Sequence, residues 1–275
     1  MTAFQMAYWD HEFEYLYGTE QVRNLIKDYP QLRVIVGLST SKFYADKEAL
    51  SETARPFPDG KGYYDNYNSA IQIDSGSAIP IHHKSKLVLG VEKLPFLQYL
   101  PFMKKLSIDL GGASGSLGYD DKPSVFGQDQ ENTAQVAPII CYESIYGEYV
   151  GEYVEGGADL LFVITNDGWW GSTPGYEQHF AYSKLRAVEF RRGIARSANT
   201  GISGFIDQRG DVVKQSDWWV QASLRAQLKS NDKVTFYAKF GDYIGRISAM
   251  VTVLLLLFTI VKKLNKTEQR LAGIK

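Results

Sequence analysis

The chain has 275 residues, 30 Lys+Arg against 31 Asp+Glu for a net charge of −1, and 44% hydrophobic residues. That balance excludes a basic nucleic-acid-binding surface and a charged disordered tail, and the length suits one large domain with a short appendage. The single cysteine, Cys141, excludes an intramolecular disulfide framework and a multi-cysteine zinc or iron–sulfur site.

In chain order, the first ten residues, MTAFQMAYWD, have neither the basic start nor the apolar run of a secretory signal. Apolar, β-branched runs at 33–38, 67–73, 78–82, 135–140, 159–165 and 202–207 read as strands. Residues 85–132 read as loop-rich, with Gly111, Gly112, Gly115 and Gly118 close together but without a phosphate-loop spacing. Residues 143–156 and 176–195 read as helices. In the second, Ala181, Leu185 and Val188 share one apolar face, with Lys184, Glu189, Arg191 and Arg192 mostly off it. Strands alternating with helices predict an α/β domain whose sheet faces are covered by helices.

Residues 247–261, ISAMVTVLLLLFTIV, carry no charge. Alone they would reach roughly 22 Å as a helix; extended back to Tyr243, with Arg246 snorkelling, they approach the roughly 30 Å apolar thickness of a bilayer. Lys262, Lys263 and Lys266 follow as a stop. A buried core helix is the alternative, but the Leu254–Phe258 run lacks the polar stripe such a helix shows. Lys and Arg number five in 262–275 and four in 227–246, a slight lean toward a cytoplasmic C-terminus. The bulk of the chain would then lie across the membrane with no signal to take it there.

Cys141 ends an apolar strand where the sequence turns polar, Cys-Tyr-Glu-Ser, with a helix expected from about Glu143. A thiol between a strand end and a helix N-terminus sits where the helix dipole favours thiolate, the usual placement of a nucleophile. A small buried hydrophobe is the plain alternative. Lys84, at the exit of the strand containing His82, can face the same cleft and stabilise a thiolate and then an oxyanion; a solvated surface lysine is its alternative. Glu92, eight residues on, can orient Lys84 or handle protons, or simply be exposed. His82 and His83 lack further ligands for zinc, since only His11 and His179 remain. Asn166-Asp167-Gly168 is a turn signal at a strand's carboxyl end, and Trp169-Trp170 beside it either line a pocket or pack in the core.

Together these pieces resemble the carbon–nitrogen hydrolase (nitrilase) superfamily and, more closely, the catalytic domains of the apolipoprotein N-acyltransferase family. The matching text is Tyr67-Asn68-Ser69-Ala70, then His83-Lys84-Ser85-Lys86-Leu87-Val88 with Gly90 and Glu92, then Pro138-Ile139-Ile140-Cys141-Tyr142-Glu143. It continues with Thr165-Asn166-Asp167-Gly168-Trp169-Trp170-Gly171, Arg186-Ala187-Val188-Glu189 and Ala195-Arg196-Ser197-Ala198-Asn199-Thr200-Gly201.

The resemblance implies a nitrilase-like αββα sandwich over 1–240, one transmembrane helix over 243–261 and a basic cytoplasmic tail over 262–275. It implies a Glu–Lys–Cys catalytic set with Cys141 as nucleophile, Lys84 as the oxyanion-stabilising cation and Glu92 as the second active-site glutamate. Tyr142, Glu143, Asn166, Trp169 and Trp170 would shape the pocket and bind substrate, and no metal or cofactor is implied. The implied reaction takes an acyl chain from a phospholipid as a Cys141 thioester. It then passes the chain to the N-terminal diacylglyceryl-cysteine of an apolipoprotein. The place implied is the inner membrane, with the catalytic domain on its periplasmic side in the complete protein. That family's general-base glutamate lies in a Pro-Glu-Thr-Ala motif; here Thr2-Ala3 match its end and Met1 falls on the glutamate, with neither Glu12 nor Glu14 an evident substitute. The expectation is a C-terminal portion of a longer enzyme, impaired as it stands. A nitrilase-like amidase with water as acceptor, and a non-catalytic membrane-anchored module, are the competing expectations.

Overall fold

A computed structural model describes residues 8–45, 50–93, 116–128 and 133–272, with side chains as far as residue 265. The motif at Met1-Thr2-Ala3, the glycines 111, 112 and 115, and the side chain of Lys266 lie outside that description.

The described chain forms two five-stranded sheets packed face to face. In the first, β2 (Val34–Tyr44) and β4 (Tyr63–Ile73) pair antiparallel along their whole length, from Val34 opposite Ile73 to Tyr44 opposite Tyr63. Three short strands complete that sheet. β1 (Tyr8–Trp9) runs parallel to β2, and β3 (Arg55–Pro56) and β5 (Ile81–His83) run antiparallel to β4. Alternation divides its faces. Val34, Val36 and Leu38 of β2 join Ile71 and Ile73 of β4 under Val22 and Ile26 of α1 (Tyr17–Asp28). Ile35 and Ala70 point the other way, to the second sheet.

The second sheet runs β10 (Val212–Gln215), β9 (Gly204–Ile206), β8 (Gly193–Ala198), β7 (Leu160–Thr165), β6 (Val136–Ile140). β6, β7 and β8 are parallel, with α2 (Gly147–Glu155) and α3 (Gly175–Phe190) as crossovers. Parallel strands covered on both faces need apolar residues at consecutive positions, which is why all five residues of β6 are buried. Ala137, Ile139, Leu161, Val163 and Ile194 meet Tyr149, Tyr153, Phe180 and Phe190 of the helices, while Ile140 and Ile164 meet Ile35 and Ala70 between the sheets. The layers are therefore helix, sheet, sheet, helix, the αββα sandwich expected. Pro138, which has no N–H to give a ladder, sits in the end strand of its sheet.

Three local expectations are corrected. The segment after Cys141 is a 3-10 turn, Cys141–Ile145, and the α-helix starts only at Gly147. Strong dipole support for a thiolate at Cys141 is therefore absent, because the effect fades beyond the first turn. Next, α3 stops at Phe190, where Arg191 turns left-handed (φ 52°), and strand β8 begins at Gly193, so 193–195 is strand rather than helix. Buried Arg192 fixes that turn, donating to the carbonyls of Ala158 and Lys233, both at 2.8 Å. Finally, the apolar face of α3 is the wrong one: Ala181, Leu185 and Val188 are exposed, and His179, Phe180, Ser183, Arg186, Ala187 and Phe190 face inward.

Beyond the sandwich, α4 (Phe236–Phe240) is capped by Thr235, whose Oγ1 accepts from Ala238 N at 3.1 Å. Tyr237 and Ala238 pack on the domain core while Phe236 and Phe240 remain exposed. Then α5 runs from Tyr243 to Ala272, and Tyr243–Asn265 is long and apolar enough to cross a membrane, with none of its most apolar stretch buried. The helix passes through Lys262 and Lys263 without a break, so the segment 262–272 is helical. Glu148 of α2 ties its start to the domain by pairing with Arg246 and accepting from Asp242 N at 3.0 Å.

Candidate active site

The carboxyl ends of β6 and β7 and the exit of β5 converge on one cleft of about 90 Å³, open to solvent. Cys141, Lys84, Glu92, Asn68, Asn166 and Trp169 all line it. Gly37 of β2 allows the sheets to close at its floor: a Cβ there would lie 2.6 Å from Ile164 Cγ2.

Cys141 follows the last residue of β6 and is partly exposed. Its φ is 49°, in the left-handed region where a residue with a Cβ pays about 1–2 kcal/mol. Such backbone persists where surrounding contacts over-determine it, and those places cluster at functional sites.

Lys84 is 1% exposed. Its Nζ donates to both oxygens of Glu92, at 2.8 and 2.7 Å. Glu92 is held in turn by Asn68 Nδ2 at 2.6 Å and Val88 N at 2.7 Å. The Lys84 backbone is fixed by its N–H donating to Asn68 O at 2.8 Å. Burial works against the ammonium, but its Coulombic interactions with Cys141, Glu92 and Glu143 and its hydrogen bonds to Glu92 prevail and raise its pKa above the ordinary lysine value. An ammonium thus faces the same cleft as the thiol, beside a carboxylate whose oxygens are occupied by donors.

Glu143 does not reach the cleft surface; it is fully buried. Its carboxylate accepts from Ser85 N at 2.6 Å, Ile140 N at 2.7 Å and Tyr149 OH at 3.1 Å, with His82 Nε2 at 3.3 Å. One side chain therefore clamps the segment after Lys84 to the turn that carries Cys141. Burial raises its pKa, but His82 and the two backbone N–H groups outweigh that and leave it below the usual value.

Asn166 Oδ1 accepts from Thr200 Oγ1 at 2.9 Å and Gly168 N at 3.2 Å, so this side chain shapes the wall of the cleft. Trp169, 48% exposed, lines the mouth. Trp170 packs over Gly175 beside the cleft, and Tyr142 meets Tyr146 edge-on at 5.4 Å; neither lines it. Glu12 and Glu14 are exposed and away from it. Among the described residues no group of His, Cys, Asp and Glu is arranged to hold a metal.

A carbon–nitrogen hydrolase family model matches residues 44–233, more than half of the chain. The chain belongs to the carbon–nitrogen hydrolase family. Among curated relatives, an apolipoprotein N-acyltransferase of Chlorobaculum tepidum is 34% identical over 202 residues, covering 73% of this chain and 38% of its own. One from Thermotoga maritima is 33% identical over 195 residues, covering 69% and 36%. The chain thus spans little more than a third of the length of these relatives. Saccharomyces cerevisiae Nit3, a nitrilase-superfamily structure, superposes with a TM-score of 0.46 at 14% identity, covering 77% of this chain and 68% of that one.

Within this carbon–nitrogen hydrolase domain the structure brings Cys141, Lys84 and Glu92 together and adds residues that sequence reasoning left without a role. Asn68 stood in a quoted motif, but only the pairing of β4 with β5 puts it against Glu92. Asp167, His179 and Arg196 form a buried cluster behind Cys141. Of the three only His179 lies on α3, and the polar residues read there, Lys184, Glu189, Arg191 and Arg192, did not point to it.

Proposed function

We propose that this chain carries the acyl-transfer centre of an apolipoprotein N-acyltransferase. The observation that carries the reading is the partly exposed thiol of Cys141 on a cleft shared with a buried, glutamate-paired ammonium, in a chain whose relatives bear that name. The Cys141 thiolate attacks the acyl carbonyl of a phospholipid, and the Lys84 ammonium stabilises first the thiolate and then the oxyanion. The ester C–O bond breaks, the lysophospholipid alkoxide takes a proton, and an acyl thioester remains on Cys141. The free α-amine of a diacylglyceryl-cysteine then attacks the thioester. The C–S bond breaks, an amide forms, the amine gives up a proton and the thiolate returns.

Glu92 keeps Lys84 aimed at the reacting carbonyl. Trp169 at the mouth offers apolar surface to acyl chains, and α5, a membrane span in this reading, brings the cleft to its lipid substrates at the periplasmic side of the inner membrane. The general base of the family corresponds to the position of Met1, outside the described residues, and no step is assigned to another residue in its place.

Incubation of the protein with phosphatidylethanolamine vesicles, followed by intact mass and peptide mapping, tests this. An acyl adduct on Cys141 that hydroxylamine releases is expected. The acyl group on another residue, or Cys141→Ala acylated like the wild type, would overturn the assignment. Turnover of small soluble amides without any lipid adduct would instead identify an amidase.

A further inference from the structure

Behind Cys141 lies a buried polar chain that the acyl-transfer steps leave unused. His179 of α3 is 3% exposed; its Nδ1 is 2.7 Å from Asp167 Oδ1, and its Nε2 is 3.1 Å from the Cys141 carbonyl oxygen and 3.0 Å from Ser144 Oγ. The Ser144 hydroxyl donates to that same carbonyl at 2.7 Å. Asp167 also accepts from Arg196 Nη2 at 2.6 Å and Thr165 Oγ1 at 3.0 Å. Arg196 is anchored further by donating to Ser183 Oγ at 3.2 Å and Ile202 O at 3.1 Å.

An ionised carboxylate only accepts, so the Nδ1 facing Asp167 donates to it. The Cys141 carbonyl oxygen likewise only accepts and already takes the Ser144 hydroxyl hydrogen, so Nε2 holds that carbonyl as a second N–H donor, the ring spanning Asp167 and the Cys141 peptide as an imidazolium. A histidine that merely filled space in the core would need one partner. This one bridges a charged pair to the backbone of a single residue, and that residue holds the left-handed conformation (φ 49°). We infer that His179 is a positioning residue for the nucleophile: with Ser144 it fixes the Cys141 carbonyl, keeps the backbone left-handed and so aims Sγ into the cleft toward Lys84. Asp167 and Arg196 act through His179 by orienting its ring. The inference rests on Cys141 being the nucleophile proposed above.

The test is the rate of Cys141 alkylation by iodoacetamide, read by intact mass on the full chain in detergent, so that no acyl transfer is required. Wild-type Cys141 is expected to react faster than free N-acetylcysteine; an equal or slower rate would sink the nucleophile reading itself. With a fast wild type, His179→Leu is expected to slow alkylation roughly tenfold or more, since small displacements of a reacting atom are costly. His179→Gln, which restores a polar group at the same edge, is expected to recover most of the rate.

Phe190→Leu, on the same helix but in the apolar core outside this polar chain, is expected to lower the thermal midpoint and leave alkylation unchanged. Two results overturn the positioning role alone: wild-type alkylation in folded His179→Leu, or equal slowing by Phe190→Leu. Should His179→Leu not fold, Ser144→Ala carries the same test, with slowed alkylation expected and an unchanged rate decisive against it.

Discussion

A lysine ammonium 1% exposed is stable only because its surroundings were built for it. Glu92 supplies the counter-charge, and Asn68 and Val88 hold Glu92 so that it cannot follow the ammonium elsewhere. Removing one partner leaves the other charge unpaired, so Lys84→Met is expected to cost about 3 kcal/mol of stability, measured by chemical denaturation in detergent. It should also slow Cys141 thioester formation by roughly 10²-fold or more, measured by intact mass against time. Gly37 tests a different cause. Its substitution by Ala puts a methyl group against Ile164 between the sheets, and a loss of about 1–3 kcal/mol is expected by the same denaturation. No charge changes there, so a normal midpoint for Gly37→Ala would show that the sheets separate more easily than their packing implies.

At the scale of elements, α3 is the instructive case. Its exposed side carries Ala181, Leu185 and Val188 alongside Lys184, and its inner face carries His179, Ser183 and Arg186 beside Phe180 and Phe190. Counting apolar residues along the sequence therefore selects the solvent face. Phe190→Ala is expected to lose about 3–5 kcal/mol, whereas Leu185→Ala, 44% exposed, should stay within about 0.5 kcal/mol, both read from denaturation midpoints. The reverse order would mean that α3 is rotated about its axis.

The short turn after β6 is the second case. The strand β6 was legible because its residues are continuously apolar, as a strand covered on both faces must be. The 3-10 turn was not, because it is built by Glu143 reaching Ser85, 58 residues away in the chain, and by His179 approaching the Cys141 carbonyl. Local periodicity carries no trace of either contact.

At the scale of the molecule, the sandwich and α5 meet at α4, which buries Ala238 in the domain and leaves Phe236 and Phe240 exposed next to Tyr243. Aromatic rings at the start of an apolar span suit the headgroup region. Removal of residues 243–275 is expected to shift the protein from floating with phospholipid vesicles to the soluble fraction, measured on a density gradient. The protein as a whole should also be acid-sensitive. Glu143 and Asp167 both have folded pKa values below the ordinary ones: for each, burial raises the value but hydrogen bonds and neighbouring cations, His82 for Glu143 and His179 with Arg196 for Asp167, lower it further. Groups of that kind stabilise the fold above their unfolded pKa and lose the effect as pH falls through the depressed folded value. Thermal midpoints should therefore drop as the pH goes below 4.5, and Glu143→Gln should flatten that dependence. An unchanged slope in Glu143→Gln would show that Glu143 is not charged in the fold.

From the sequence alone came the alternation of strands and helices, the long apolar helix at the C-terminus, and the order of motifs that put Cys141, Lys84 and Glu92 under suspicion. Each of these is written in consecutive residues, where backbone periodicity and composition act directly. Only the tertiary structure decided that Lys84 is buried and paired, that Glu143 is a clamp between two turns, that Tyr142 and Trp170 stand off the cleft, and that His179 sits behind the nucleophile. Those facts depend on strand pairing and sheet stacking that join residues 24 to 61 positions apart, and a linear pattern of side chains contains no distance between them.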